Sequence, residues 1–319
     1  MNRSRAVFLD SATLDDLDLN PLREVFGELV LHPSSQAQEI AERLQGAQVA
    51  ITNKAPINAA TLAASPELKL ILVTATGTNN IDLVAAAEHG VTVCNCQGYG
   101  TASVAQHAIL LLLTLATRLN DYQAAVRAGQ WQQASQFCLL DFPIVELEGK
   151  TFGLLGSGEL GGATARLAEA FGMRVLIGQL PGRPPRADRL PLDELLAQAD
   201  AISLHCPLTE QTRGMLGQRE LDLMKPGAFL INTARGGLID EQALADTLRR
   251  GHLGGAATDV LSVEPPRDGN PLLAHDIPRL IVTPHNAWGS REARQRIIGQ
   301  LVESVRGWID GAPVRQVRA

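Results

Sequence analysis

Short runs of aliphatic and β-branched residues alternate with helix-length amphipathic segments along most of the chain. This alternation is typical of a parallel sheet that carries helices on both faces, so the pattern predicts the α/β class. In the first third of the chain it predicts strands at 6–9, 49–51, 70–74 and 91–94, and helices at 21–28, 35–44 and 58–63.

A second series of strands follows a long helical stretch at 102–128. Because the segment Leu110–Leu113 is too apolar for a solvent-facing surface, we expect this helix to pack between domains or between subunits. The strands of the second series are predicted at 151–155, 174–177, 201–205, 228–232, 255–259 and 280–283. Six such runs with helices between them predict one doubly wound dinucleotide-binding unit.

The length of the chain predicts two domains, since 319 residues exceed the usual size of a single hydrophobic core. We assign 1–99 with 289–319 to a flavodoxin-like substrate-binding domain and 100–288 to a Rossmann-type dinucleotide-binding domain. Each is predicted to be a doubly wound parallel sheet, with a cleft between the two domains. A final helix at 290–310, apolar on one side, is expected to return to the first domain.

Composition narrows the possible partners. Hydrophobic residues make up 45% of the chain, enough for packed cores, and the net charge of -6 gives no basic field for nucleic acid or an anionic membrane. The N-terminal apolar run Ala6–Leu9 is too short for a signal peptide, and four cysteines do not make a disulfide framework, so we expect a cytoplasmic protein. Cys94 and Cys96 lack the further ligands of a zinc site, and no metal is expected.

A glycine-rich loop follows the predicted strand at 151–155. Its glycines are Gly156, Gly158 and Gly161, with Glu159 and Leu160 between the last two. The first glycine permits a tight turn, the second lets the backbone approach a pyrophosphate, and the third allows close packing of helix on strand. The N–H groups of the following helix would bind the phosphates. We therefore predict that this loop binds a dinucleotide.

The residue that would select between NAD and NADP is unusual. An acidic residue that binds the ribose hydroxyls normally stands about 20 residues beyond the loop, but the strand here ends in Gln179, and Arg183 and Arg186 follow. Without a carboxylate to repel it, a 2′-phosphate could be bound by these arginines, which favours NADPH. The alternative is that the arginines are solvated and Gln179 alone serves the ribose of NADH.

Three later strand ends supply groups suited to the reduction of a 2-keto acid. That reaction needs a cation for the carboxylate, a polarised carbonyl and a proton donor. Arg235, Glu264 and His285 each follow an apolar strand, at the edge where ligands of open α/β sheets bind. A carboxylate beside an imidazole fixes its tautomer and stabilises its protonated form. Arg235 offers a planar, permanently charged group for the substrate carboxylate.

With these residues in this order, the chain resembles the D-isomer-specific 2-hydroxyacid dehydrogenase family, from about Leu70 to Arg294. The resemblance implies that Arg235 binds and polarises the substrate, that His285 is the acid/base and that Glu264 orients it.

The same resemblance implies further contacts around the predicted triad. Backbone N–H groups of Thr76 and Gly77 would bind the substrate carboxylate, and Asp259 would hold the nicotinamide amide. The remaining cofactor contacts that it implies are Cys206 and Pro207 beneath the ribose, together with Thr233 and Ala234. The chain departs from the family pattern at Asn79 and Gln106, where Asp and Glu are common. His107 and His205 are interpreted as structural or supporting residues.

Segments 78–80, 179–184 and 286–289 resemble the bacterial glycerate dehydrogenases, also called hydroxypyruvate reductases. This implies the pair hydroxypyruvate and D-glycerate, and also glyoxylate and glycolate, with Trp288 closing the pocket around a small substrate. Alternatives are a D-3-phosphoglycerate dehydrogenase, weakened by the lack of length for a regulatory domain, and a cofactor-sensing corepressor. The family also implies a homodimer formed through 102–128.

Overall fold

The computed structural model describes residues 4–14 and 16–318. The chain divides into two compact units, one formed by Met1–Gly100 with Gly289–Ala319 and the other by Thr101–Trp288.

The first unit begins with five strands and four short helices. In chain order they are β1 (Arg5–Phe8), α1 (Asn20–Val25), β2 (Glu28–Leu31), α2 (Ile40–Arg43), β3 (Val49–Thr52), α3 (Ala59–Ala63), β4 (Leu70–Val73), α4 (Leu83–Glu88) and β5 (Thr92–Asn95). The central strands β3 and β4 are buried along their whole length, as parallel strands covered on both faces must be. Side chains of Asn58 and Asp82 cap α3 and α4 by accepting from backbone N–H groups three residues on.

The second unit contains six strands and six helices. They are α5 (Thr101–Thr117), α6 (Leu119–Arg127), β6 (Thr151–Leu155), α7 (Glu159–Ala170), β7 (Arg174–Ile177), α8 (Leu192–Gln198), β8 (Ala201–Leu204), α9 (Gln218–Leu223), β9 (Phe229–Asn232), α10 (Glu241–Arg249), β10 (Gly255–Thr258) and β11 (Leu280–Val282). The strands form one parallel sheet in the order β7-β6-β8-β9-β10-β11. A parallel bridge between Gly178 and Leu190 extends the pairing beyond the end of β7.

The chain then returns to the first unit through α11 (Arg291–Ile309) and β12 (Gln316–Val317). The apolar side of α11, which includes Ile297, Leu301 and Val305, is buried, and the helix packs against α1 and β4. β12 pairs antiparallel with β5, so the first sheet has the order β2-β1-β3-β4-β5-β12, flavodoxin-like apart from this last strand. The predicted α/β class with two doubly wound sheets is confirmed.

Two elements differ from the sequence prediction. The segment at 102–128 is not one helix, because Arg118 adopts left-handed backbone geometry with φ of 55° and separates α5 from α6. β2 was not predicted: it is an edge strand, half-buried along most of its length, and pairs only with β1 among the described strands. An edge strand lacks the continuous apolar run of a fully buried one.

No single helix within the described residues is long and apolar enough to cross a membrane. By length and composition alone, only α5 and α6 taken together, with a 60° bend between them, could do so.

Candidate functional site

Three neighbouring strands of the second unit end at the same edge of its sheet. Arg235 follows β9, Asp259 follows β10 and His285 follows β11, and these strands pair in register in that order. Because adjacent strands lie about 4.8 Å apart, parallel pairing places the segments after them side by side. The sheet therefore gathers these polar side chains at its carboxyl edge, where open α/β sheets bind ligands.

His285 and Glu264 are in direct contact. His285 Nδ1 lies 2.6 Å from Glu264 Oε2, and the other carboxylate oxygen accepts the Leu261 N–H at 2.8 Å. The two side chains are 30% and 33% exposed, so both reach the surface of the site. His285 Nε2 has no hydrogen-bond partner in the described part of the chain. The carboxylate therefore fixes the orientation of the ring through Nδ1, while Nε2 is left without a partner among the described residues.

The segment that carries His285 is held in an unusual backbone conformation. His285 has φ of 52°, in the left-handed region that non-glycine residues seldom adopt. Its N–H donates to the Asp259 carbonyl at 2.8 Å, and the buried Asp259 carboxylate accepts the N–H groups of Asn286 and Ala287 at 3.0 and 2.9 Å. The same carboxylate accepts the Thr283 hydroxyl at 2.5 Å. Asp259 thus fixes this segment, and its predicted contact with a nicotinamide amide stays a prediction.

Helix α5 also forms hydrogen bonds with the segment that carries His285. His107 Nε2 lies 3.0 Å from Thr283 Oγ1 and 3.7 Å from the Asp259 carboxylate, and Ser103 Oγ donates to the Ala287 carbonyl at 2.6 Å. On the other side, the indole N–H of Trp288 donates to the His285 carbonyl at 2.9 Å. His107 therefore belongs to the network that positions the His285 segment.

Arg235 is exposed, at the start of a short 3₁₀ helix. The Asn232 side chain fixes the turn before it by donating to the Arg235 carbonyl and accepting the Ala234 N–H, while Thr233 is buried. Gly236 packs so closely on the next segment that a Cβ there would lie 2.0 Å from the Leu261 carbonyl carbon. Arg235 is thereby held beside the Leu261–Glu264 segment that contacts His285.

The glycine loop lies between the ends of β6 and β8, where the strand order changes direction. Gly156 has φ of 102°, and a Cβ there would lie 2.5 Å from the His205 carbonyl oxygen. A Cβ on Gly161 would lie 2.0 Å from the Gly156 carbonyl oxygen, whereas one on Gly158 would meet no atom within 4 Å. The chain therefore requires glycine at the first and third positions, and open space surrounds the second.

His205 and Cys206, which pack against Gly156 of this loop, are uncharged. Burial lowers the pKa of His205 to about 4, and its Nε2 lies 2.8 Å from Ser203 Oγ, so the ring is neutral at pH 7. Burial raises the pKa of the Cys206 thiol to about 11 and keeps it protonated. Pro207, which follows, is exposed, and its carbonyl accepts the Thr212 hydroxyl at 2.8 Å.

The residues predicted to bind the adenosine ribose follow the end of β7. Gln179 Nε2 donates to the carbonyls of Arg183 and Pro184 at 3.0 and 3.1 Å, so its amide holds the following turn. Arg186 binds Asp188 through two hydrogen bonds of 2.9 Å and is exposed, as is Arg183.

In the first unit, Thr76 and Gly77 follow β4 at the carboxyl edge of the other sheet. The Thr76 carbonyl accepts the Asn95 side chain at 2.7 Å. Neither the Thr76 nor the Gly77 N–H has an acceptor among residues 4–14 and 16–318. Both groups are therefore available to an external anion.

A family model described as D-isomer specific 2-hydroxyacid dehydrogenase, NAD binding domain, matches residues 109–287, more than half of the chain. The chain belongs to the D-isomer specific 2-hydroxyacid dehydrogenase family. The resemblance seen in the sequence is thus confirmed.

Relatives of this 2-hydroxyacid dehydrogenase align along most of its length. It is 46% identical over 282 residues to the glycerate dehydrogenase of Methylorubrum extorquens, with 88% of this chain and 89% of that one covered. It is 36% identical to the hydroxypyruvate reductase of Blautia hydrogenotrophica, with 98% and 99% covered. An acyclic imino acid reductase solved in complex with NADPH and D-arginine matches with a TM-score of 0.86 at 29% identity, covering 98% and 99%.

The glycine loop of this dehydrogenase fits the dinucleotide that its family binds. No side chain caps the N-terminus of α7, where Gly158 occupies the capping position, so the first-turn N–H groups face the open space beside Gly158. The side chain of Glu159 is turned to Thr101, whose hydroxyl donates to it at 2.7 Å. The loop can therefore offer backbone donors to a pyrophosphate.

Sequence reasoning missed the positioning role of the Asp259 carboxylate, the contact of His107 with Thr283, and Arg189, which donates to Ser157 of the glycine loop. Only Asp259 carried a sequence signal, since it follows a strand directly. The other two contacts join residues 176 and 32 positions apart.

Proposed function

We propose that this 2-hydroxyacid dehydrogenase uses NAD(P)H to interconvert a small 2-keto acid and its D-2-hydroxy acid, with hydroxypyruvate and D-glycerate as the main pair and glyoxylate and glycolate as a second. The observation that carries the proposal is the 2.6 Å contact of His285 Nδ1 with Glu264 at the carboxyl edge of the sheet. It leaves an oriented imidazole beside the turn that bears Arg235.

In the proposed reduction, His285 donates its Nε2 proton to the keto oxygen. Glu264 stabilises the imidazolium before transfer and keeps Nε2 pointed outward. The bound nicotinamide supplies the hydride that the carbonyl carbon receives. Because His285 is neutral after transfer, it can accept a proton again in the reverse reaction.

Recognition of the carboxylate is assigned to Arg235, with the N–H groups of Thr76 and Gly77 as further donors. A guanidinium presents two parallel N–H donors to a carboxylate, which fixes the orientation of the keto group as well as its position. Charge on Arg235 would also polarise the carbonyl and stabilise the oxyanion that develops during reduction. Trp288, bound to the His285 carbonyl, is proposed to limit the size of the substrate.

For the cofactor we favour NADPH slightly over NADH. Gln179 stands where a carboxylate would repel a 2′-phosphate, and the structurally similar imino acid reductase was solved with NADPH.

A panel of hydroxypyruvate, glyoxylate, pyruvate and bulkier 2-keto acids, each with NADH and NADPH, tests the substrate proposal. We expect hydroxypyruvate to give the highest kcat/KM and bulkier acids to fall at least about 10-fold lower, the usual scale for steric discrimination. A preference for a branched keto acid would contradict the proposed substrate. Tight cofactor binding with negligible turnover of every acid would instead indicate a cofactor sensor.

We also propose a homodimer, formed through an apolar surface that extends beyond the predicted 102–128 segment. Phe137 and Leu140 are 88% and 77% exposed, and Leu119, Trp131 and Ile144 also expose large fractions of their side chains. The segment 137–144, which carries Phe137 and Leu140, packs against α6, since the rings of Tyr122 and Phe142 meet edge to face at 5.1 Å. Large exposed apolar patches of this kind commonly mark protein interfaces.

Replacing Phe137 and Leu140 together with Asp should convert the dimer to a monomer, because each charge would be buried without a partner in the interface. Light scattering during size-exclusion chromatography measures the mass. Val84→Asp is the control, since Val84 is 58% exposed on α4 in the other unit. A wild-type protein with the mass of one chain would contradict the dimer, as would a double variant that keeps twice that mass.

A further inference from the structure

Arg189 lies at the corner where the glycine loop meets the end of β7. The bridge between Gly178 and Leu190 brings the chain back to this corner, and Arg189 Nη2 donates to Ser157 Oγ at 2.8 Å. Ser157 stands between the first two glycines of the loop. A permanently charged guanidinium is therefore fixed beside the loop, although Arg189 is ten residues beyond the strand end where sequence reasoning looked for the ribose contact.

Two buried polar atoms at the same corner have no hydrogen-bond partner within the described residues. They are Arg189 Nε and Gln179 Oε1. Buried donors and acceptors in folded proteins are nearly always satisfied, so these two atoms mark a corner whose polar groups the described chain does not fully pair. The Gln179 amide is held in place by the carbonyls to which its Nε2 donates.

The two arginines predicted from the sequence are less suited to bind an anion. Arg186 uses both Nε and Nη2 to bind Asp188, and its hydrogen bond is the main cause of the lowered pKa of that carboxyl. Its charge is thus already paired, and its side chain is 59% exposed. Arg183 is also exposed, and its carbonyl rather than its guanidinium contacts Gln179. Arg189 has no carboxylate bonded to it in the described chain.

We propose that Arg189 selects the cofactor by binding the 2′-phosphate of NADPH, with Ser157 fixing the orientation of its guanidinium. The inference rests on the proposed dinucleotide function. A guanidinium and a phosphate form parallel N–H···O bonds, and the neutral Gln179 beside them adds no repulsion. NADH lacks the 2′-phosphate and would not gain this interaction.

Calorimetric titration with adenosine 2′,5′-bisphosphate and with 5′-AMP isolates the 2′-phosphate without turnover. We expect the wild type to bind the bisphosphate at least about 10-fold more tightly. Arg189→Gln should weaken bisphosphate binding by about 10-fold or more, the usual scale for a charged hydrogen bond, while 5′-AMP binding changes less than about two-fold. Arg186→Gln tests the alternative arginine, and Arg306→Gln, on the exposed side of α11, controls for net charge.

Three results would overturn the assignment: no preference for the bisphosphate in the wild type, equal weakening of both nucleotides by Arg189→Gln, or an equal selective loss in Arg186→Gln. Circular dichroism of each variant confirms that it is folded. The proposed function is tested separately with hydroxypyruvate. A wild type that binds both nucleotides but reduces no keto acid would contradict that function and leave the selection by Arg189 standing.

Discussion

Replacing His285 with Ala should lower the turnover of hydroxypyruvate by about 100-fold or more, the usual contribution of a positioned general acid. The substitution removes the imidazole that contacts Glu264 at 2.6 Å, and with it the proton donor proposed for the keto oxygen. Glu264 keeps its hydrogen bond from the Leu261 N–H and is partly exposed, so the chain should tolerate the loss of the imidazole. Steady-state and single-turnover kinetics with saturating cofactor measure the effect.

His275→Ala is the matched control for this substitution, because His275 is an exposed histidine outside the site. Cofactor binding by fluorescence should remain normal in both variants, which separates chemistry from binding. Turnover within a few-fold of the wild type in His285→Ala would reject the role. Glu264→Gln adds a second test: without the carboxylate that fixes the orientation of the imidazole, turnover should fall, but less than in His285→Ala, because the proposed proton donor remains.

The second sheet was predictable because its strands are continuous apolar runs. Phe229–Asn232 and Thr151–Leu155 are buried along their whole length, and such strands carry the strongest sequence signal. The break between α5 and α6 was not predictable, since Arg118 is neither Gly nor Pro. Its left-handed backbone is accompanied by a hydrogen bond to Asp121 at 2.6 Å and by the Phe142 ring 5.3 Å from its guanidinium. The second of these contacts comes from tertiary structure.

In the candidate site, the sequence predicted which strand ends carry charge but not how they are held. The order of Arg235, Glu264 and His285 along the chain follows the order of parallel strands, so their gathering at one edge follows from topology. The hydrogen bonds that hold these strand ends do not follow from topology. The Asp259 carboxylate, for example, accepts N–H groups 27 and 28 residues away. Such contacts depend on side-chain directions in three dimensions, and no spacing rule expresses them.

Replacing Gly161 with Ala should abolish measurable cofactor binding and destabilise the second unit. The added Cβ would lie 2.0 Å from the Gly156 carbonyl oxygen, 3.1 Å from the carbonyl carbon and 3.2 Å from His205 Cβ. Two of these atoms are backbone, so α7 must move away from the loop that its N-terminus serves. Overpacking of this kind typically costs about 1–3 kcal/mol. Titration with NADH and NADPH and thermal unfolding measure the two effects.

The neighbouring Gly162 provides a control that differs only in its surroundings. A Cβ there would approach only the flexible end of Arg166, at 3.9 Å. Gly162→Ala should therefore bind cofactor normally and gain about 0.5–1 kcal/mol, because alanine loses less conformational entropy than glycine in a helix. Opposite shifts in Tm for two adjacent glycine-to-alanine changes would show that close packing at Gly161, rather than helix propensity, holds the loop in its binding geometry. Equal behaviour of the two variants would contradict that explanation.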